Sequence, residues 1–428
     1  MTVVLTILFA LLFFALIMVS IALHEVGHLV PAKLFGVKVT QYFVGFGKTL
    51  WSTVKGGTEY GVKAIPLGGY VKLVGMYPPE KQTDRPKGWL TRIADQARSF
   101  EYEEITPADD GRLFYQKKTW QKIIVMLAGP AMNILIAFLI FLGINFFHGV
   151  YTPTLTVETV SECAIRADRP EQTCTEADPP TPAAAAGVQP GDVLVSFNGE
   201  PLRDWEHMGD LIRANRDGEA SVVVQRADEQ VTLPTVNTVL NYVPDRLDPT
   251  KFIEAGFYGV APTSELRRGG PVATVDQMWT MTKQSAVALA SFPVRVYNVA
   301  ADLVTGQPRD VNSPLSIVGA SRFAGEIGTT TELSGPEKVV TWMSLLGSVN
   351  LFVALLNLVP LLPLDGGHVA GALYEALRRG IARLLGRPDP GPVDTAKALP
   401  MTYVVAGFLL IGGLVLIVAD IFSPIRLL

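Results

Sequence analysis

Hydrophobic and polar positions are patterned on two scales along this chain. At the coarse scale, four stretches carry no charge: Met1–Leu23, Ile123–Phe147, Val339–Leu364 and Ala398–Ala419. Each reaches or exceeds the ~20 residues a helix needs to cross ~30 Å of hydrocarbon, which predicts four transmembrane helices. At the fine scale, Val37–Met76 sets β-branched and aromatic residues between glycines such as Gly45, Gly47, Gly68 and Gly69, and predicts strands. Residues 77–112 are polar and charged and predict a cytoplasmic loop. Thr154–Thr159, Ser221–Gln225, Gln230–Val236 and Phe257–Val260 predict further strands, and Asn198-Gly199 marks a hairpin. Residues 274–304 place Met278, Met281, Val287, Phe292 and Val296 at helical spacing. They predict an amphipathic helix on the membrane surface or against the β-rich segment.

The first apolar run differs from a secretory signal. No Lys or Arg precedes it, it exceeds the roughly 7–15 residues of a signal core, and it ends in HEVGH rather than small residues. It is expected to stay. The net charge of −4 is too small to suggest nucleic acid as a partner. The placement of basic residues says more. Residues 31–120 hold 14 Lys or Arg, whereas 148–165 hold none, and Arg378, Arg379, Arg383, Arg387 and Lys397 follow the third run. The positive-inside rule puts 31–120 and 365–397 in the cytoplasm, and both termini and 148–338 outside. Cys163 and Cys174, the two cysteines, both fall in the outer segment, where a disulfide suits an oxidising compartment.

His24-Glu25-Val26-Gly27-His28 matches H-E-x-x-H. Residues four apart share a helix face, so both imidazoles can bind one Zn²⁺ with Glu25 beside it. Zinc lowers the pKa of a bound water to about 7, and Glu25 is placed to take its proton. An Asp-like charge near the bilayer centre costs ~2.5–3.5 kcal/mol, so such groups persist for function. Catalytic zinc takes a third protein ligand. His148 and His207 lie on the wrong side of the membrane by the topology above. HEVGH follows 23 uncharged residues and Asp365 follows 26, on runs that cross in the same direction, so the two polar clusters sit at similar depth. Asp365 and His368 can each ligate zinc, and spacing does not choose between them.

Ala186–Gly199 resembles the core signature of a PDZ domain, a module that binds extended peptides or chain ends by strand addition. HEVGH, the Gly-rich segment, this outer segment and Leu364-Asp365-Gly366-Gly367-His368 together resemble the bacterial site-2 intramembrane metalloproteases of the RseP type, over nearly the whole chain. The resemblance is to actinobacterial-like members. It implies one catalytic zinc held by His24, His28 and Asp365, with Glu25 as base and Asn357 holding the substrate backbone. It also implies a place in the bacterial cytoplasmic membrane, with the active site near the cytoplasmic face. Substrates would be single-span membrane proteins, such as anti-sigma factors, already trimmed outside by a site-1-type protease. One departure from the family pattern is Pro363, which stands one place late, although Pro360 and the Asn-to-Asp spacing are kept.

The expected layout is a polytopic α-helical membrane protein with a Gly-rich membrane-associated β segment and an extracytoplasmic PDZ domain. Its divisions are an N-terminal membrane half (1–150), the PDZ-like domain (151–265), an amphipathic connection (266–338) and a C-terminal membrane half (339–428). Strands near Gly68 and Gly69 are expected to offer an edge on which a substrate helix is pulled out into a strand. Competing readings are another membrane zincin acting on soluble peptides, and an inactive PDZ-bearing scaffold.

Overall fold

A computed structural model describes residues 2–79, 105–169, 171, 173–248 and 251–425. Most of the expected loop 77–112 lies outside the described residues. Two compact units form: Met1–Phe141 with Met278–Leu428, and Leu142–Gln277.

In the first unit, uncharged runs become long helices because a helix satisfies its own backbone where water is absent. They are α1 (Thr2–Leu34), α2 (Thr119–Gly143), α3 (Pro271–Thr305, which starts in the second unit), α5 (Gly335–Asn357) and α7 (Leu399–Phe422); α4 (Ile317–Thr329) and α6 (Asp365–Leu384) are shorter. Among the described residues, five helices are long and apolar enough to cross a membrane, one more than the four read from the sequence. The extra one is Pro271–Thr305, with a mean hydropathy of 1.3 against 2.0 to 3.0 for the others. Asp276, Lys283, Arg295 and Asp302 are scattered along it, so it contains no long uncharged run.

The third run is also shorter as a helix than as a sequence pattern. It begins at a capping box, Ser334 with Glu337, and ends at Asn357 rather than Leu364. Pro360 has no N–H to continue the ladder, so 358–364 fold into tight turns before α6 starts at Asp365. α5 runs parallel to α1: Trp342 packs on Phe13, Asn350 bonds Ser20, and Asp365 faces His24. The 13-residue α4 was not foreseen in the sequence. Gly325 and Gly328 let it lie directly on Thr6 and Phe9 of α1.

β1 (Val39–Lys55) and β2 (Thr58–Leu73) pair antiparallel, as strands rather than helix. The start of β1 has neighbours on both sides, since Phe43 stands opposite Tyr70 and also opposite Gly61. Residues 69–73 therefore have β1 on one side and, among the described residues, no strand partner on the other.

The second unit holds a sheet in the order β7-β3-β4-β5-β6, made of β3 (Val150–Val160), β4 (Val193–Phe197), β5 (Val222–Arg226), β6 (Glu229–Thr232) and β7 (Val260–Arg267). Asn198 and Gly199, both at positive φ, turn the chain after β4 as the Asn-Gly pair predicts. The helix Trp205–Asn215 and the hairpin Val239–Pro244 with Phe252–Phe257 were not foreseen in the sequence. The stretch read as one strand, Phe257–Val260, is instead the corner between two strands, turned at Gly259. Cys163 and Cys174 form a disulfide.

Asp192, 1% exposed, accepts two bonds of 2.8 Å from Arg226 and one of 2.9 Å from the Gln189 N–H. Arg226 holds the Asp192 carboxyl below the usual carboxylate range. A depressed folded-state pKa gives stability that is full above the unfolded value of about 3.9 and fades as pH falls through the folded one. Asp192→Asn is therefore expected to speed hydrogen exchange in Val193–Phe197 of the full-length protein at pH 7. The gap from wild type should narrow below about pH 4. A gap that does not change with pH would exclude the ion pair as its source.

Candidate metal centre and catalytic cavity

α1 carries His24, Glu25 and His28 with the two histidines one turn apart on one face. Both are buried, at 7% and 6% exposure, and their Nε2 atoms lie 3.2 Å apart. His28 Nδ1 is 2.7 Å from the Val125 carbonyl of α2. A carbonyl only accepts, so Nδ1 carries the proton and the Nε2 lone pair points to the centre. Asp365, the first residue of α6, brings Oδ2 to 3.4 Å from His24 Nε2 and 3.3 Å from His28 Nε2. That oxygen is buried without a hydrogen-bond partner.

The donor set can be tested against zinc. Ligand atoms about 2.0–2.1 Å from a tetrahedral ion stand about 3.3 Å from one another. The observed separations of 3.2, 3.3 and 3.4 Å match this, and two imidazoles with one carboxylate suit the metal. The residues fit a zinc ion. His368, the other candidate that spacing left open, lines the same cavity but is not part of the cluster of His24, His28 and Asp365. Burial pushes its imidazole down to about 4, so it is neutral at physiological pH.

Missing side chains make this approach possible. A Cβ on Gly27 would strike the Ala128 carbonyl, and one on Gly129 would overlap the His28 ring. Added Cβ atoms on Gly366 and Gly367 would collide with the 358–362 backbone folded beneath α6.

The cluster opens into a cavity of about 720 Å³. Glu25, Asn357, Gly68 and Gly69, each singled out in the sequence, all line it. The Val71 N–H faces the Glu25 carboxylate. Strand geometry alternates, so Gly69 and Leu73 point their backbone groups the same way as Val71, along the unpaired edge. Gly68 has φ +123°, and a Cβ on Gly69 would sit 3.1 Å from Glu25 Cγ.

Sequence reasoning left out two features. Asn133, not singled out in the sequence, also lines the cavity; its one sign in sequence is a polar group one turn beyond Gly129 in an apolar run. Lys122 of α2 also meets Glu375 of α6 in a buried ion pair at 3.0 and 3.1 Å, with Arg379 at 3.2 Å and the Val393 N–H at 3.1 Å. This pair ties the helix that orients His28 to the helix that presents Asp365. Lys122→Met is expected to destabilise the protein on the order of 2 kcal/mol by removing one of the partners of a buried carboxylate, which keeps Arg379 and the Val393 N–H. Lys122→Met with Glu375→Leu should recover most of that loss in thermal unfolding; no recovery would mean the pair is not the source.

Comparison with known proteins agrees with this chemistry. Residues 12–384 match Peptidase family M50. Zinc metalloprotease Rip1 of Mycobacterium tuberculosis is 35% identical over 431 residues, covering 97% of this chain and 98% of the relative. Zinc metalloprotease Rip1 of Mycolicibacterium smegmatis is 33% identical over 433 residues, covering 97% and 98%. Metalloprotease MmpA of Caulobacter vibrioides is 26% identical over 374 residues, covering 84% and 85%. With a zinc-type donor set on apolar helices and a match over most of its length, the chain belongs to peptidase family M50, the site-2 proteases, and is a multi-pass membrane zinc metalloprotease.

Proposed function

We propose that the protein cuts single-span membrane proteins within the membrane, after their outer parts have been trimmed. The observation that carries this reading is one cavity holding His24, His28, Asp365 and Glu25 beside an unpaired strand edge. A helix in hydrocarbon hides its peptide bonds, and each freed backbone group costs several kcal/mol. Residues 69–73 offer replacement partners, so a substrate segment can exchange helical bonds for strand pairing as it enters.

His24, His28 and Asp365 would hold a zinc ion, which when bound would supply Lewis acidity and lower the pKa of a water to about 7. Glu25 is placed to accept a proton from a water in the cavity and to pass it to the leaving amine. Asn357, at the end of α5, binds the substrate backbone where the helix stops and 358–364 begin.

Four spans carry the chain across the membrane, and α3 does not complete a crossing; its Phe292, Val296 and Val299 pack along α7. The parallel course of α1 and α5 supports this, because a lone crossing by α3 would make them antiparallel. Both termini and the 151–265 segment then lie outside the bacterial cytoplasmic membrane, and the cavity lies near its cytoplasmic face. The outer segment acts as a PDZ domain that meets the trimmed end left by a site-1-type protease, with anti-sigma factors as the substrate class. Its sheet and Asn-Gly turn support that assignment.

The test is co-expression with a tagged, outwardly truncated anti-sigma factor. Gly68→Val and Gly69→Val are expected to slow release of the cytoplasmic fragment at least about tenfold by spoiling the strand edge, with zinc content unchanged. Release at the wild-type rate would rule out entry by strand pairing.

A further inference from the structure

Between Ile123 and Gly143, α2 has a single polar side chain, Asn133. It is 2% exposed, lines the 720 Å³ cavity, and its Oδ1 has no hydrogen-bond partner. Other buried asparagines of the apolar helices are engaged elsewhere. Asn350 donates to Ser20 and to the Leu346 carbonyl, although its Oδ1 also lacks a partner, and Asn145 donates to Thr274 and Gln277. Neither lines the cavity. A buried amide oxygen without a partner is costly, and an apolar residue of the same size would avoid the cost. Its presence at a cavity wall calls for a donor that arrives with the ligand.

We propose that Asn133 is a substrate-binding residue whose side-chain oxygen accepts a backbone N–H from the extended peptide in the cavity. The proposal rests on the cavity being the site of peptide hydrolysis. A substrate still coiled as a helix has its N–H groups committed to its own carbonyls, so this acceptor is useful only to the opened form. Position along the substrate follows from helix geometry. Gly129 touches the His28 ring, and Asn133 is one turn further on, a rise of about 6 Å. An extended chain advances about 3.3 Å per residue, so the contact falls about two residues from the bond that is cut.

The experiment uses the full chain in detergent and a fluorophore–quencher single-span peptide selected for cleavage by the wild type. Asn133→Leu, which keeps the branched shape but has no acceptor, is expected to raise KM about five- to tenfold with kcat nearly unchanged, the mark of a lost binding contact. Asn133→Ser, which keeps an acceptor, should fall between, and zinc content should match wild type in both. A substrate with an ester in place of the amide two residues from the cut bond lacks the donor. It should show the raised KM with wild type and no further rise with Asn133→Leu. Unchanged KM in Asn133→Leu, or equal losses in the Leu and Ser variants, would overturn the proposal. His24→Ala with His28→Ala is the separate control: if that variant cleaves the peptide at the wild-type rate, the cavity itself is misassigned, whatever Asn133 does.

Discussion

Glu25→Gln is expected to reduce peptide hydrolysis by about 10²–10⁴-fold while leaving the metal in place, because a positioned general base contributes on that order. The amide has nearly the same shape as the carboxylate, so the side chain should stay where it is. It cannot take a proton from water. Glu25 also stands outside the cluster of His24, His28 and Asp365, so its charge is not needed to hold zinc. Peptide cleavage and metal content measured on the same preparation separate the two effects. A residual rate within tenfold of wild type would move the base to another cavity group, His368 first.

Asp365→Ala is expected to strip the metal. The carboxylate supplies one of three donors, and the two imidazoles left behind make a far weaker site. Losing an outer-shell partner of a metal ligand alone costs 10–100-fold in affinity, so loss of the ligand should exceed about a hundredfold. A chelator competition titration reads this directly and needs no turnover. His368→Ala is the matching control and should keep zinc. If Asp365→Ala held zinc and His368→Ala lost it, the ligand assignment would be reversed.

What the sequence revealed depended on how local each signal was. The four uncharged runs and the four-residue spacing of His24 and His28 are written within single helices, so length and periodicity were enough to find them. Asp365 needed more, because it is brought to His24 by the parallel course of two distant helices. Depth matching put it in the right neighbourhood, and resemblance favoured it over His368. α4 escaped notice because its 13 residues are too short for a span and its inner face is built of glycine, alanine and serine. The Lys122–Glu375 pair joins residues 253 positions apart, and nothing near either residue announces the other. Asn133 escaped notice because a single polar residue in a membrane helix says nothing about whether it faces a neighbour or a hole. The early end of α5 was visible in Pro360, but an apolar run does not record where its hydrogen bonds stop.

The close approaches at Gly27, Gly129, Gly366 and Gly367 affect how relatives of this chain should be judged. A protein retaining all of His24, Glu25, His28 and Asp365, but with alanine at the place of Gly129, would pass every test based on reactive residues. The added methyl would nonetheless push the second imidazole out of position. Such a sequence would be a silent pseudoenzyme, unrecognised because its defect is an atom gained rather than a functional group lost. Inventories of active and inactive family members should therefore check these four empty positions as well as the four filled ones.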